Sequence, residues 1–371
     1  PLNQVSGQVQ VTDTLSLGAQ YFLEWEAYRF PEGGTYLGPV DFAFNGPDRI
    51  LLAPGVGYTR GNPFEPAQRN GEFGLNARWS PDALDGTVGV YYRRYADKLP
   101  QGLVTQQRLV RLPNGQFVPV ASASQYNLIY ADGIDLYGIS FAKNIGGISF
   151  GSELSYRHDT PLLSKILGVP GTSPFNVPVP GEGQTTGPRG NTVHGLVNAV
   201  GIIPDTPVFD AAAWAVELVW SQWLDVTSGA ETFQAVGYKG CTFNKPTAQA
   251  GDKWDGCATK NYVGMGASFT PTWYQVMPGV DLSAPMTFSM GLSGNAATTF
   301  GGNQGNGNFS AGLGFDIFQK HRVDLKYIGY FGRINDYGAS GALGAQNITQ
   351  NGFTTLLKDR DFISLTLKTT F

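Results

Sequence analysis

Ionisable residues recur at alternate positions of stretches that are otherwise apolar or small: Glu24, Glu26, Glu72, Arg78, Arg93, Glu153, Arg157, Glu217, Asp316, Asp324, Lys326 and Lys368. Their chemistry is that of a polar wall, along which acids and bases pair with one another or guide a solute past them; the two readings are compatible. Arg78 and Arg93, on neighbouring stretches, are expected to pair with Glu24 or Glu72. Cys241 and Cys257 fall in one loop-like segment. A disulfide there fits an oxidising compartment, and closing such a loop is worth about 3 kcal/mol in the chain-entropy account. Two free thiols are the alternative, and zinc is not expected because no histidine lies near them. His158, His194 and His321 are widely spaced. His194 falls on a strand-like stretch, but parity singles out no serine and acid beside it, so no catalytic residue is assigned. The Gly-rich run 294–307 is not a phosphate loop, since no lysine follows and no helix opens after it. No cofactor is expected.

The elements that must position these charges are strands. Leu15, Leu17, Ala19, Tyr21, Leu23 and Trp25 alternate with Ser16, Gly18, Gln20, Phe22, Glu24 and Glu26. The same period of two returns at 72–79, 87–93, 148–157, 213–221, 282–292, 309–317 and 323–331. It closes the chain at 359–371, where Ile363, Leu365 and Leu367 alternate with Ser364, Thr366 and Lys368 before the terminal Phe371. Period two gives a strand one apolar and one polar face. In a water-soluble domain the apolar face turns to a core; in an outer-membrane barrel it turns to lipid and the polar face lines the lumen. Arginine or lysine facing lipid near the midplane would cost about 2–4 kcal/mol, which places the charges above on the inner face. Short connections alternate with long ones, as periplasmic turns alternate with extracellular loops. Thirteen candidate strands result, and an even count predicts a transmembrane antiparallel up-and-down barrel of about fourteen. The long segment 96–132 is expected to hold its own hairpin, 109–111 with 117–120, around Pro113, Asn114 and Gly115. Trp25, Trp79, Trp214, Trp220, Trp223 and Trp273 are expected in interface girdles.

Composition agrees. Charged residues make up 15%, against about 25% in soluble domains. Glycine is abundant, with 50 residues, and aromatics reach 13%. No apolar run approaches the roughly 20 residues of a membrane helix. The formal net charge of −4 and the lack of a Lys/Arg run argue against nucleic acid as a partner. A secreted soluble β-protein is the competing class. The chain opens at Pro1 almost directly on a strand pattern and has no signal peptide, so it is expected to be a single barrel domain, 1–371, lacking N-terminal sequence.

The stretch from Ser124 to Leu162, SQYNLIYADGIDLYGISFAKNIGGISFGSELSYRHDTPL, resembles the DUF1302 family of Gram-negative outer-membrane proteins of unknown function. The resemblance continues through the strand 214–223, the cysteine loop and the C-terminal strands. It implies a longer parent chain and an association with the use of hydrophobic or aromatic compounds, steroids included; it carries no catalytic motif. The strand count is also similar to that of the long-chain fatty acid transporters, an architectural likeness only. The terminal Phe371 resembles the signal by which the barrel assembly machinery reads the last strand, although Thr369 stands where those proteins carry an apolar residue.

These readings predict an outer-membrane location, with lipid and lipopolysaccharide around the wall, and a channel for passive uptake of small hydrophobic or aromatic molecules. A plugged barrel serving as receptor or scaffold is the alternative, and a barrel lipid hydrolase stands behind both. The loops from Val40 to Gly57 and from Leu162 to Val179 carry more apolar residues than exposed loops need. They are expected either to gather a greasy ligand or to pack on one another as a lid.

Overall fold

The structure is a computed structural model that describes residues 2–38, 46, 48–66, 70–106, 109–120, 123–168, 186–245, 247–340 and 345–370. Phe371 and parts of the apolar loops 40–57 and 162–179 lie outside the described residues.

Fourteen strands form one sheet. In chain order they are β1 (Gln4–Gln10), β2 (Leu15–Phe22), β3 (Phe73–Trp79), β4 (Thr87–Tyr95), β5 (Ile134–Ile145), β6 (Ile148–Pro161) and β7 (Arg189–Ile203). They continue as β8 (Ala211–Ser228), β9 (Asn261–Met277), β10 (Val280–Ser283), β11 (Met286–Ser293), β12 (Gly307–Ile317), β13 (His321–Phe331) and β14 (Phe362–Thr369). Apart from β10 and β11, which share one place in the wall, each pairs antiparallel with its sequence neighbours, which makes an all-β, up-and-down barrel wall. The thirteen expected strands are all present, and the fourteenth segment arises by division of one of them at Pro285 rather than as a further strand. Proline offers no N–H to the ladder, and the run expected at 282–292 breaks there into β10 and β11, which both pair with β9 and β12. Among the described residues β1 and β14 are not hydrogen-bonded to each other, so the wall has a seam. No helix is long and apolar enough to cross a membrane.

The register makes the two faces continuous. Val9, Leu17, Ala77, Val90, Ile139, Leu154, Leu218, Met265, Phe288, Leu313, Leu325 and Leu365 share one face across the sheet. That face is open to the surroundings: Leu365 is 64% exposed, Leu325 47%, Leu313 44% and Leu218 43%. Polar residues opposite them are shielded, with Ser16 and Asp324 each at 7%. Grease is therefore outside and polarity inside. Charges on the apolar face sit at strand ends and are neutralised there. Arg94 meets Asp135 at 3.3 Å, Tyr92 donates to Asp135 at 2.7 Å, and Lys143 reaches the Leu84 carbonyl at 2.9 Å.

Aromatic bands mark the two ends of this face. Phe73, Tyr92, Tyr137 and Tyr156 run edge to edge with centroid spacings of 5.7, 5.1 and 6.4 Å. Trp79 and Trp214 lie at the other end, beside the short connections. From Phe73 to Trp79 is six residues, about 20 Å of strand. The short connection between β5 and β6 turns on Gly146 and Gly147, with φ of 59° and 84°. These are the left-handed values a two-residue hairpin needs and a side chain disfavours.

Two tryptophans depart from the girdle expectation. The strand ends at Phe22, so Trp25 leaves the wall and is buried at 4% exposure with Ala96, Leu128 and Tyr130. Trp223, three residues after the outward Trp220, falls on the inner face opposite Thr192 and packs against Phe233 and Tyr238.

The long connections fold on themselves. The expected hairpin of Leu109–Arg111 with Phe117–Pro119 is present. A separate five-stranded sheet is assembled from three connections: Arg49–Ala53 and Val56–Arg60, Gly102–Gln106 and Gln125–Ile129, and Leu167–Gly168. Alternation in the parent sequence gave no sign of these short strands, because their partners lie far away along the chain.

Candidate functional site

The long connections converge over one mouth of the wall. Gln101 is 2% exposed. Its side-chain amide donates to the Leu162 carbonyl at 3.2 Å and the Pro188 carbonyl at 2.7 Å, and its backbone carbonyl accepts from the Thr299 hydroxyl at 3.3 Å. Leu163 donates from its backbone N–H to the Ala297 carbonyl at 2.7 Å. Phe300 lies 5.4 Å from Phe30 and 4.9 Å from Phe353, ring centre to ring centre. The connections 96–133 and 294–306 leave the sheet six strand positions apart, about 29 Å along a flat sheet. Their direct contact requires the sheet to curl and the loops to bridge the opening.

Between these loops lies a cavity of about 330 Å³. Leu128, Leu163, Ile166, Phe300 and Phe353 supply apolar lining, and Gln101, Gln234, Asn303 and Gln350 supply amides. Among the described residues no charged side chain lines it. Such a lining accepts a small apolar body carrying one or two hydrogen-bonding groups.

The cysteine loop buttresses one side. Cys241 and Cys257 form a disulfide and are 1% and 0% exposed. Asp255, two residues before Cys257, receives Lys245 in an ion pair, the Tyr337 hydroxyl at 2.6 Å and the Thr349 hydroxyl at 2.7 Å. Burial alone would raise this carboxyl; the Lys245, Tyr337 and Thr349 hydrogen bonds outweigh it and hold the group down to about 2. Asp255 thereby pins the cysteine loop to the hairpin Ile334–Ser340 with Ala345–Gln350. Lys165, beside the cavity-lining Ser164 and Ile166, places its ammonium 3.6 Å over the Phe243 ring. Burial pulls it down to about 8, against the attraction of Asp255. Sequence reasoning found none of Gln101, Lys165 or Asp255, because their partners are fixed only once the loops meet.

The ionisable residues expected on the inner face separate into groups. Arg93 and Arg157 share one row on either side of Leu136. Arg78 and Glu153 share a row two further along the same face, through Gly89 and Ser140. Glu217 stands opposite Gly266 and Asn198. Asp316 and Lys368 flank Arg322, Lys326 lies between Gly312 and Ser364, and Asp324 is held by Arg322 at 3.0 Å. Arg93 does meet Glu72, at 3.8 Å, whereas Arg78 has no ion pair among the described residues. Glu24 instead accepts from the Asn3 backbone N–H at 2.7 Å and side chain at 3.1 Å. Both Glu24 and Glu26 lie beyond the end of β2, and Glu26 pairs in the open with Arg29 at 3.7 Å. The chain turns away from the wall there to bury Trp25, so parity no longer sets which way a side chain faces.

His194 stands between Ser155 and Ser221 in register. Its Nε2 is 2.9 Å from the Thr192 hydroxyl, and no serine–histidine hydrogen bond occurs among the described residues. No cluster of His, Cys, Asp and Glu suited to a metal occurs among them either.

Residues 1–371 match the family described as a protein of unknown function, DUF1302. No curated protein matches the chain. Among solved structures it is similar to a FadL homologue of Pseudomonas aeruginosa, at 11% identity, with 94% of this chain and 74% of that one covered and a TM-score of 0.34. It is similar to the siderophore receptor PirA from Acinetobacter baumannii at 12% identity, covering 94% of this chain and 53% of that one, with a TM-score of 0.37. Against Salmonella typhi OmpF in complex with daunomycin the identity is 9%, the coverage 94% and 88%, and the TM-score 0.30.

Proposed function

The chain belongs to the DUF1302 family, matched over residues 1–371, and from that premise and its geometry we propose that it is a gated outer-membrane channel for small, mostly apolar solutes. The observation that carries the reading is the uncharged 330 Å³ cavity enclosed by loops from several strand pairs, over a wall that is apolar outside and polar inside. The apolar face meets lipid acyl chains between the aromatic bands, and the last strand presents the sheet edge for assembly. A solute enters the cavity, shedding water from its apolar body, and moves down its gradient along the polar face when the loops part. No cofactor takes part.

The buried Gln101 knot also favours a second reading, a receptor that holds its ligand under a closed lid without passing it. Planar-bilayer conductance together with uptake separates the two. Ser164 lines the cavity; filling the space with Ser164→Phe is expected to cut uptake of a neutral aromatic such as benzamide at least fivefold while the barrel still assembles. Uptake at the wild-type rate in that variant, or no protein-dependent uptake in the wild type, rules out the channel.

A further inference from the structure

We propose that Arg157, with Arg93 beside it, forms a carboxylate-binding station on the inner face below the loop cavity, so that the solutes preferred are apolar acids carrying one carboxylate. This rests on the channel reading above and names the substrate class of that same route.

The two arginines occupy one cross-strand row, separated by Leu136 alone. Two strand spacings are about 10 Å, a gap that two arginine side chains close on a shared anion. Arg157 has no carboxylate within ion-pair distance among the described residues, and its Nε is buried without a hydrogen-bond partner. The Nε of Arg93 is buried and unpartnered too. Buried guanidinium donors ordinarily find acceptors, and carboxylates satisfy them best, two N–H groups at a time.

The neighbouring acids are committed elsewhere. Asp97 accepts from the Leu99 backbone N–H at 3.0 Å, and burial pushes its carboxyl up even though Arg157 faces it. Asp132 is held by Arg189 at 3.4 Å. Glu72 accepts from the Ala96 N–H at 3.0 Å and stands 3.8 Å from Arg93.

The surroundings suit an aromatic or alicyclic body. The Arg93 guanidinium lies 5.1 Å from the Phe22 ring centre and 5.0 Å from that of Tyr95. The station also connects to the cavity through contacts. Leu128 lines the cavity and packs with Ala96, Ala96 bonds Glu72, and Glu72 adjoins Arg93.

The test is equilibrium binding of benzoate and of its neutral isostere benzamide to the detergent-solubilised full chain at pH 8 and low salt, in wild type, Arg157→Gln and Arg157→Lys. Heat-modifiable migration on gels confirms that each variant is folded. The wild type is expected to bind benzoate about tenfold tighter than benzamide, roughly one charge-assisted hydrogen-bond pair. Arg157→Gln should bring the two within twofold, leaving benzamide unchanged, and Arg157→Lys should keep most of the preference. Equal binding of the two ligands by the wild type, or an undiminished preference in folded Arg157→Gln, overturns the station and leaves the channel intact. Binding of neither ligand, with no conductance, overturns both.

Discussion

The Thr299 hydroxyl donates to the backbone carbonyl of Gln101 at 3.3 Å across 198 residues of chain. The same glutamine's amide reaches Leu162 and Pro188 on a third loop. One buried residue thus joins three connections, through its side chain to Leu162 and Pro188 and through its backbone to Thr299. Removing the side chain with Gln101→Ala leaves the Leu162 carbonyl without that donor in a buried site, a cost of about 1–3 kcal/mol local to the lid. The expected outcome is faster limited proteolysis within 96–106 and 162–168 and more frequent openings in planar bilayers, with the wall unaffected. Unchanged cleavage and gating would show that the loops are held by other contacts.

The wall was legible in sequence because a two-residue period is a local signal. Ile363, Leu365 and Leu367 declare a face without reference to any partner, and the register then carries that face from strand to strand. Pro285 split a strand where the ladder lost a donor, a break that alternation alone does not reveal. The site was mostly not legible. Asp255 meets Tyr337 and Thr349 at sequence distances of 82 and 94, and nothing near Asp255 marks either. Parity also stopped working where the chain left the sheet, which is why Glu26 ended beside Arg29 and Trp25 in a buried cluster. The disulfide was legible because the two cysteines have only each other to pair with.

Facing can be tested by a pair of neighbours. Leu325 lies between Leu313 and Leu365 on the outer face, and Lys326 between Gly312 and Ser364 on the inner one. In folding from urea into lipid vesicles, Leu325→Arg is expected to cost about 2–4 kcal/mol, as a cation facing the bilayer midplane does. Lys326→Leu should change stability by less than about 1 kcal/mol, since it removes an inner-face charge that has no ion pair among the described residues. Reversal of that order would place lipid on the other face of the sheet.

Asp255 links the lid to acidity. Its carboxyl is held down to about 2 by Lys245, Tyr337 and Thr349 against the opposing effect of burial, whereas an unfolded loop would titrate near 3.9. A carboxyl depressed on folding stabilises fully above its unfolded value, and that contribution disappears as pH falls through the folded value. The pin between the cysteine loop and the hairpin 334–350 is therefore expected to hold at pH 5 and to weaken progressively between pH 4 and pH 2. Hydrogen exchange of amides in 334–340 and 345–350 reads this directly, after correction for the intrinsic pH dependence of exchange. Protection should fall across that window in the wild type. In Asp255→Asn it should already be low at pH 5 and change little below, because the variant leaves Lys245 buried opposite a neutral amide. The disulfide serves as the internal control: Cys241 and Cys257 do not titrate while bonded, so protection that survives in Asp255→Asn reports the cross-link rather than the ion pair. Parallel loss of protection in both proteins would assign the acid sensitivity to some other carboxylate and leave Asp255 a merely structural acceptor.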